Sequence, residues 1–252
     1  MELTSVGLSL ILVAVALAIS VRRNLQLERE LVVAVGRAIG QLFLLAAAIQ
    51  IVVASFGLTA LLLSVMVAVA TWTSARRLGD LPGPYMIAAF SISASSGAAL
   101  LILFGARVFP LEPMVLIPIA GMLIGNTMTA TSLAGTRLRD DVVKSVLEIE
   151  ARLALGIRVS HALRSHVRRA TITALIPTID STKNVGLVFL PGAFVGMMIA
   201  GVSPARAAQL QLVVLFMLLG AVSLSAFIAT SLVARAFAAA GERIQVPDAL
   251  AQ

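Results

Sequence analysis

Long apolar stretches broken by short arginine-rich segments set the pattern of this chain. Windows of about 20 apolar residues, the length a helix needs to cross a bilayer, fall near Thr4 to Val21, Leu31 to Phe56, Leu58 to Thr73 and Tyr85 to Phe104, then near Met114 to Leu133, Val185 to Gly201 and Ala207 to Ala234. Seven transmembrane helices are expected, in an all-α polytopic membrane protein. The whole of 1–252 reads as a single transmembrane domain with little left for a separate soluble one. The first window is expected to stay as a membrane helix, because Met1 to Leu10 holds Glu2 and no basic residue, unlike a cleaved signal peptide.

One polar interval is long enough to matter, the loop from about Gly135 to Ala170. Asp140 and Asp141 read there as the N-cap and first turn of a helix that carries Val143, Val146, Leu147, Glu150 and Leu153 at helical spacing. Gly156 interrupts it. A second helix then starts near Ser160 and carries His161, Arg164, His166, Arg168 and Arg169. Such a protrusion is too small to be a domain and has the form of a coupling element for a soluble partner. The stretch Asn24 to Arg37 mixes apolar and charged residues and is expected as a helix lying at the membrane interface. Arg37, between Gly36 and Gly40, would snorkel or find a carboxylate, as an anchor or as a substrate contact.

Composition agrees with the pattern, since 60% of residues are hydrophobic and 12% charged, against about 25% charged in soluble domains. The net charge of +7 comes from 19 basic against 12 acidic residues. No aromatic residues interleave the basic ones, so nucleic acid is not expected as a partner. The basic residues instead give an orientation. Of the 19, 16 lie after the first, third and fifth windows and in the tail. By the positive-inside rule this puts the N-terminus outside and the C-terminus in the cytoplasm, in an inner or plasma membrane.

Catalytic chemistry is largely missing. Cysteine is absent, which removes disulfides and thiolate ligands. The two histidines, His161 and His166, lie roughly 140° apart on a helix, unlike paired zinc ligands. Neither lysine, Lys144 or Lys183, follows a glycine in a P-loop frame, so the chain is expected to bind no nucleotide itself and not to be an enzyme.

The remaining candidates are polar residues within or beside the apolar windows. Glu112, Met114, Met122, Asn126 and Asp180 offer oxygen and sulfur to a transport pathway, with Glu112, Met114, Met122 and Asp180 as metal candidates. Asn126 needs either a packing partner or a hydrated route. The methionines serve equally as apolar filler. Asp180 and Lys183, three apart on a helix that Pro177 and Pro191 interrupt, are placed either to pair with each other or to meet cargo.

Three runs carry a family resemblance: VGRAIGQL at Val35 to Leu42, IPIAGMLIGNTM at Ile117 to Met128, and ALIPTIDSTKNVGLVFLPGAFVGMMIAGVSPARAAQLQLVVLFML from Ala174. Together they resemble the FetB (YbbM-like) permeases, bacterial ABC-transporter membrane subunits linked to iron export and related to plant aluminium-tolerance permeases. The resemblance implies a homodimeric permease in the lipid bilayer, served by a P-loop ATPase subunit of the FetA type that binds ATP and Mg. It implies coupling through Glu150, Ala151, Leu153, Gly156 and Arg164, since Glu150, Ala151 and Gly156 keep an E-A-x-x-x-x-G spacing. The importer motif departs in its next proline, which here is Pro177. A stand-alone channel or a secondary carrier using Asp180 is the alternative function.

Overall fold

The computed structural model describes residues 3–239 and 243–244. The leader reading at Met1 and Glu2 lies outside the described residues, as does the Arg243 side chain counted in the basic tail. The protein is almost wholly helical, and Ala238–Ala239 (β1) pairs antiparallel with Arg243–Ile244 (β2) at its end.

Two compact units divide the chain at Leu58 and Thr59. The first holds α1 (Leu3–Arg23) and α2 (Glu28–Val53). Their turn is built on Ser20, which donates to Glu28 Oε1 at 2.6 Å and accepts from the Leu27 N–H at 3.2 Å. Asn24 and Gln26 take positive φ there, and a short amide side chain tolerates this better than a branched one does. α2 runs without a break through the stretch expected as a separate interfacial helix, because no proline or polar cap interrupts it after Glu28. Arg37 is therefore exposed about 14 Å along one continuous helix. It makes no ion pair among the described residues.

The second unit is a bundle of α3 (Phe56–Leu78), α4 (Pro84–Gly105), α5 (Pro113–Lys144), α7 (Val159–Asn184) and α9 (Pro204–Phe237), with α6 (Val146–Ala154) and α8 (Gly192–Ile199) as short pieces. Proline opens α4, α5 and α9 at the first helical position, where its missing N–H costs nothing. α9 is the central helix and packs on α4, α5, α7 and α8. Ala134, Ala174, Ala226 and Ala229 form one buried cluster that lets α5, α7 and α9 approach closely. Hydroxyls tie helices as well: Thr171 of α7 to Thr230 of α9 at 3.1 Å, and Ser132 of α5 donating to Ser74 of α3 at 3.1 Å. Gly135 is required by α3, since a Cβ there would run into the Leu78 side chain.

Five helices among the described residues are long and apolar enough to cross a membrane: α2, α3, α4, α5 and α9. Seven is not the count by length and apolarity. The window Val185 to Gly201 is the clearest correction. Its helix, α8, has eight residues, about 12 Å, and cannot span a hydrocarbon core of about 30 Å. Gly186 at φ 83° and the Pro191 start break the run into an extended stretch and a stub. The helix packed between α5 and α9 in its place is α7, which the sequence pattern divides between loop and membrane boundary.

The loop boundaries shift as well. α5 continues to Lys144, so Asp140 and Asp141 lie in its last turns and cap nothing. Leu138 and Val142 are fully buried and extend its core-facing stripe, while Arg137 pairs with Asp141 at 3.3 Å and Arg139 with Asp140 at 2.8 Å.

Candidate functional site: a coupling helix and an oxygen-lined cavity

α6 is a short amphipathic helix at the end of the bundle formed by the C-termini of α5 and α9 and the N-terminus of α7. Ile149 anchors it, fully buried among Leu138, Val142, Val159, Leu163 and Phe237, with Leu153 half-buried against the same cluster. Gly156, at φ 82°, closes α6: its N–H reaches the Leu153 carbonyl at 2.9 Å and the Ile157 N–H reaches Arg152 at 3.1 Å, the Schellman pattern that favours glycine. The break expected at Gly156 is present, with a second one at Ser145 where α5 stops.

Of the five coupling residues read from the sequence, Glu150, Ala151, Gly156 and Arg164 are exposed, whereas Leu153 faces inward. Helical phase places Leu147, Glu150, Ala151, Ala154 and Leu155 on one outward face. Leu147 and Leu155 are 82% and 81% exposed. Sequence reading missed both, although an apolar residue opposite the buried Ile149 is a signal that helical phase can find.

His161 is exposed and His166 is 1% exposed. His166 Nδ1 lies 3.1 Å from Arg169 Nη2, while its Nε2 has no hydrogen-bond partner in the described structure. Burial first, and the Arg169 charge second, hold its pKa below the ordinary 6.5; Asp141 and Glu148 pull the other way.

The pathway candidates separate. Met114, Met122 and Asn126 lie along one exposed face of α5, spaced by eight and then four residues, with Glu112 exposed at its N-cap. Asn126 Nδ2 donates to the Met122 carbonyl at 2.8 Å. Asn126 also lines a cavity of about 250 Å³ with Pro177, Thr178, Ser181 and Thr182 of α7, closed by Leu215 and Leu218 of α9. Asp180 and Lys183 are exposed and not part of that lining. The two form no ion pair among the described residues. At 100° per residue Asp180 sits about 160° around α7 from both Thr178 and Thr182. Among the described residues no three His, Cys, Asp or Glu side chains come together as a metal cluster.

Thr178, Ser181 and Thr182 went unselected within a run already singled out for Asp180 and Lys183. Their i, i+3, i+4 spacing on one helix face was the available signal.

Relatives extend along nearly the whole chain. The rice "UPF0014 membrane protein STAR2" is 40% identical over 227 residues, covering 89% of this chain and 80% of its own. The Arabidopsis "Protein ALUMINUM SENSITIVE 3" is 38% identical, covering 89% and 83%. The Escherichia coli "Probable iron export permease protein FetB" is 36% identical over 235 residues, covering 92% and 91%. No solved structure gives a significant match. With residues 3–238 matched by its model, the chain belongs to the uncharacterised protein family UPF0014.

Proposed function

We propose that this chain is the membrane permease subunit of an ABC transporter, exporting a metal ion such as iron and driven by a separate P-loop ATPase that supplies ATP and Mg. It is a transporter subunit and not an enzyme. The name of the bacterial relative supports the metal cargo. The observation that carries the reading is the outward face of α6, where Leu147 and Leu155 stand free on a helix whose opposite side is anchored by Ile149. Two leucines held in water at the end of a bundle are a docking face for a soluble partner. On the ABC reading, which the FetB-type relative suggests, that partner is the ATPase, since this chain has no P-loop frame of its own.

The basic helix ends support an orientation. Arg22 and Arg23 close α1, Arg76 and Arg77 close α3, Lys144 closes α5 and Arg235 closes α9, while Arg164, Arg168 and Arg169 lie in the first half of α7. With α1 and α7 crossing as well, seven passages put all of these on the cytoplasmic side, with the N-terminus outside. α7 takes the sixth passage with its 15 residues from Ala170 to Asn184, about 22 Å, while the part that carries Arg164, Arg168 and Arg169 stands on the cytoplasmic side. Lys183 then sits at the outer end, opposite the side expected from the sequence.

In the transport cycle, closure of the ATPase dimer displaces α6 in each copy of a permease homodimer. Since Ile149 locks α6 to α5, α7 and α9, the displacement reaches the cavity those three helices line. Met122 and Asn126 belong to the path, with Glu112, Asp180 and Lys183 toward its outer end. The test is co-purification with the P-loop ATPase: Leu147→Asp and Leu155→Asp should abolish the complex and ATP-dependent metal export from loaded vesicles while the permease still inserts. Intact assembly in both variants removes the docking assignment. Gradient-driven flux from the permease alone overturns the ABC reading in favour of a channel or carrier.

A further inference from the structure

Around the cavity between α5, α7 and α9 two of the hydroxyl hydrogens are already spent. Ser181 and Thr182 both donate to the Thr178 carbonyl, at 2.9 and 2.8 Å. The nitrogen side of the Asn126 amide is engaged with the Met122 carbonyl. A hydroxyl has one hydrogen and two lone pairs, and an amide has two N–H hydrogens, one of them engaged here, beside its oxygen. Ser181, Thr182 and Asn126 therefore offer an entering species mainly oxygen lone pairs. Pro177 lines the same space and has no N–H for the Thr173 carbonyl one turn back, which frees a further oxygen on that helix.

α9 adds a buried amide. Gln211 lies one turn before Leu215 and two before Leu218 on the same face of α9, one turn beyond the residues that line the cavity. It is 6% exposed, and its Oε1 has no hydrogen-bond partner in the described structure. An amide oxygen kept buried and unpaired is costly, the more so in hydrocarbon. A ligand that brings positive charge to it removes that cost.

We propose that this cavity is a binding site for a hard, partly dehydrated metal cation, held by the neutral oxygens of Asn126, Thr178, Ser181 and Thr182, with Gln211 Oε1 as a further ligand at its α9 wall. The assignment rests on the permease reading and names the cargo class for it. Oxygen donors select hard cations over soft ones, which favour thiolate and thioether. An anion finds few donors there, one N–H of Asn126 and the Thr178 hydroxyl. Neutral ligands also hold an ion weakly enough to release it, as a transport site requires. Asp180, turned to the other side of α7, is no part of it.

The test uses the purified permease in lipid nanodiscs without the ATPase, with Mn2+ as the oxygen-seeking probe followed by loss of its free electron paramagnetic resonance signal, and Cd2+ as the soft competitor. Wild-type protein should retain Mn2+, and Cd2+ should displace it poorly. Asn126→Leu, Thr182→Val and Gln211→Leu should each weaken retention about tenfold, near 1.4 kcal/mol. Gln211→Glu should tighten it, Thr182→Ser should keep it, and Asp80→Asn, an exposed carboxylate in the turn after α3, should leave it unchanged. Size-exclusion profiles, together with binding by Thr182→Ser and Gln211→Glu, separate lost ligation from lost folding. The site is overturned by absence of Mn2+ retention, by equal retention in all variants, by loss in Asp80→Asn alone, or by preference for Cd2+. ATPase association and vesicle export are measured on the same wild-type preparation. A failed Mn2+ result with both intact discards the cavity site and leaves the permease standing, whereas failure of association and export discards the permease reading itself.

Discussion

Ser225 of α9 and Thr131 of α5 lie with their hydroxyls 2.7 Å apart, both fully buried, and Ser225 donates its single hydrogen to the Thr127 carbonyl at 3.0 Å. Thr131 must then be the donor to Ser225. The pair clamps α5 to α9 by hydrogen bonds between helices where no water competes. Ser225→Ala leaves the Thr131 hydroxyl to bond within its own helix and should cost about 0.5–1.5 kcal/mol. Ser225→Leu should cost more, by forcing apart a tightly packed contact. Thermal unfolding in detergent, read by tryptophan fluorescence, checks the order of the two.

Arg139 fastens the turn between α3 and α4. Its Nη1 donates to the carbonyls of Arg77 and Leu78 at 3.1 and 2.9 Å, groups left without intrahelical partners where α3 ends. Gly79 follows at φ 68°, and a Cβ there would come within 3.0 Å of the same Nη1. Arg139→Ala should loosen the turn by about 1–2 kcal/mol, and Gly79→Ala should do so through strain as well as contact. Faster amide hydrogen exchange over Gly79 to Gly83, with α9 unaffected, is the expected signature.

Leucines of the coupling segment should divide by phase. Leu153→Asp drives a carboxylate toward the cluster that holds Ile149 and Phe237, so it should destabilise the permease itself by about 3 kcal/mol or more. Leu147→Asp and Leu155→Asp replace exposed side chains and should stay within about 0.5 kcal/mol of wild type. Equal melting temperatures for all three variants would contradict the placement of α6.

Acid should weaken the junction of α5, α6 and α7. The folded pKa of His166 lies below its ordinary value of 6.5, so the unfolded chain binds more protons than the folded one below that pH. Stability is full above about 6.5 and falls as pH drops through it toward the lower folded pKa. His166→Phe, similar in shape and unable to titrate, should flatten that part of the profile. Melting temperatures of both proteins between pH 5 and 7.5 decide the matter.

Much of the architecture is written along the chain. Periodicity and composition suffice for an all-helical membrane protein, because a stretch of about 20 apolar residues has few other stable states. The break at Gly156 is equally local, since a left-handed residue after a helix calls for glycine. Helix rotation and partner choice are different in kind. Gly186 and Pro191 are local signs of a break in Val185 to Gly201, but the run is apolar enough to read as a span, and only the structure reduces it to an eight-residue stub. Nothing local to Val159 to Asn184 says that so polar a helix takes the place between α5 and α9, which depends on Ala174 and Thr171 meeting Ala226, Ala229 and Thr230 some 50 residues later. The same packing sets the phase of α7, bringing Thr178, Ser181 and Thr182 to Asn126 while Asp180 turns away. It also decides that Leu153 goes inward and Leu147 and Leu155 outward, because Ile149 is buried in the cluster that Leu153 packs against. Such choices are made by side-chain contacts between residues far apart in sequence, where a rotation of one residue, about 100°, changes which group faces the site.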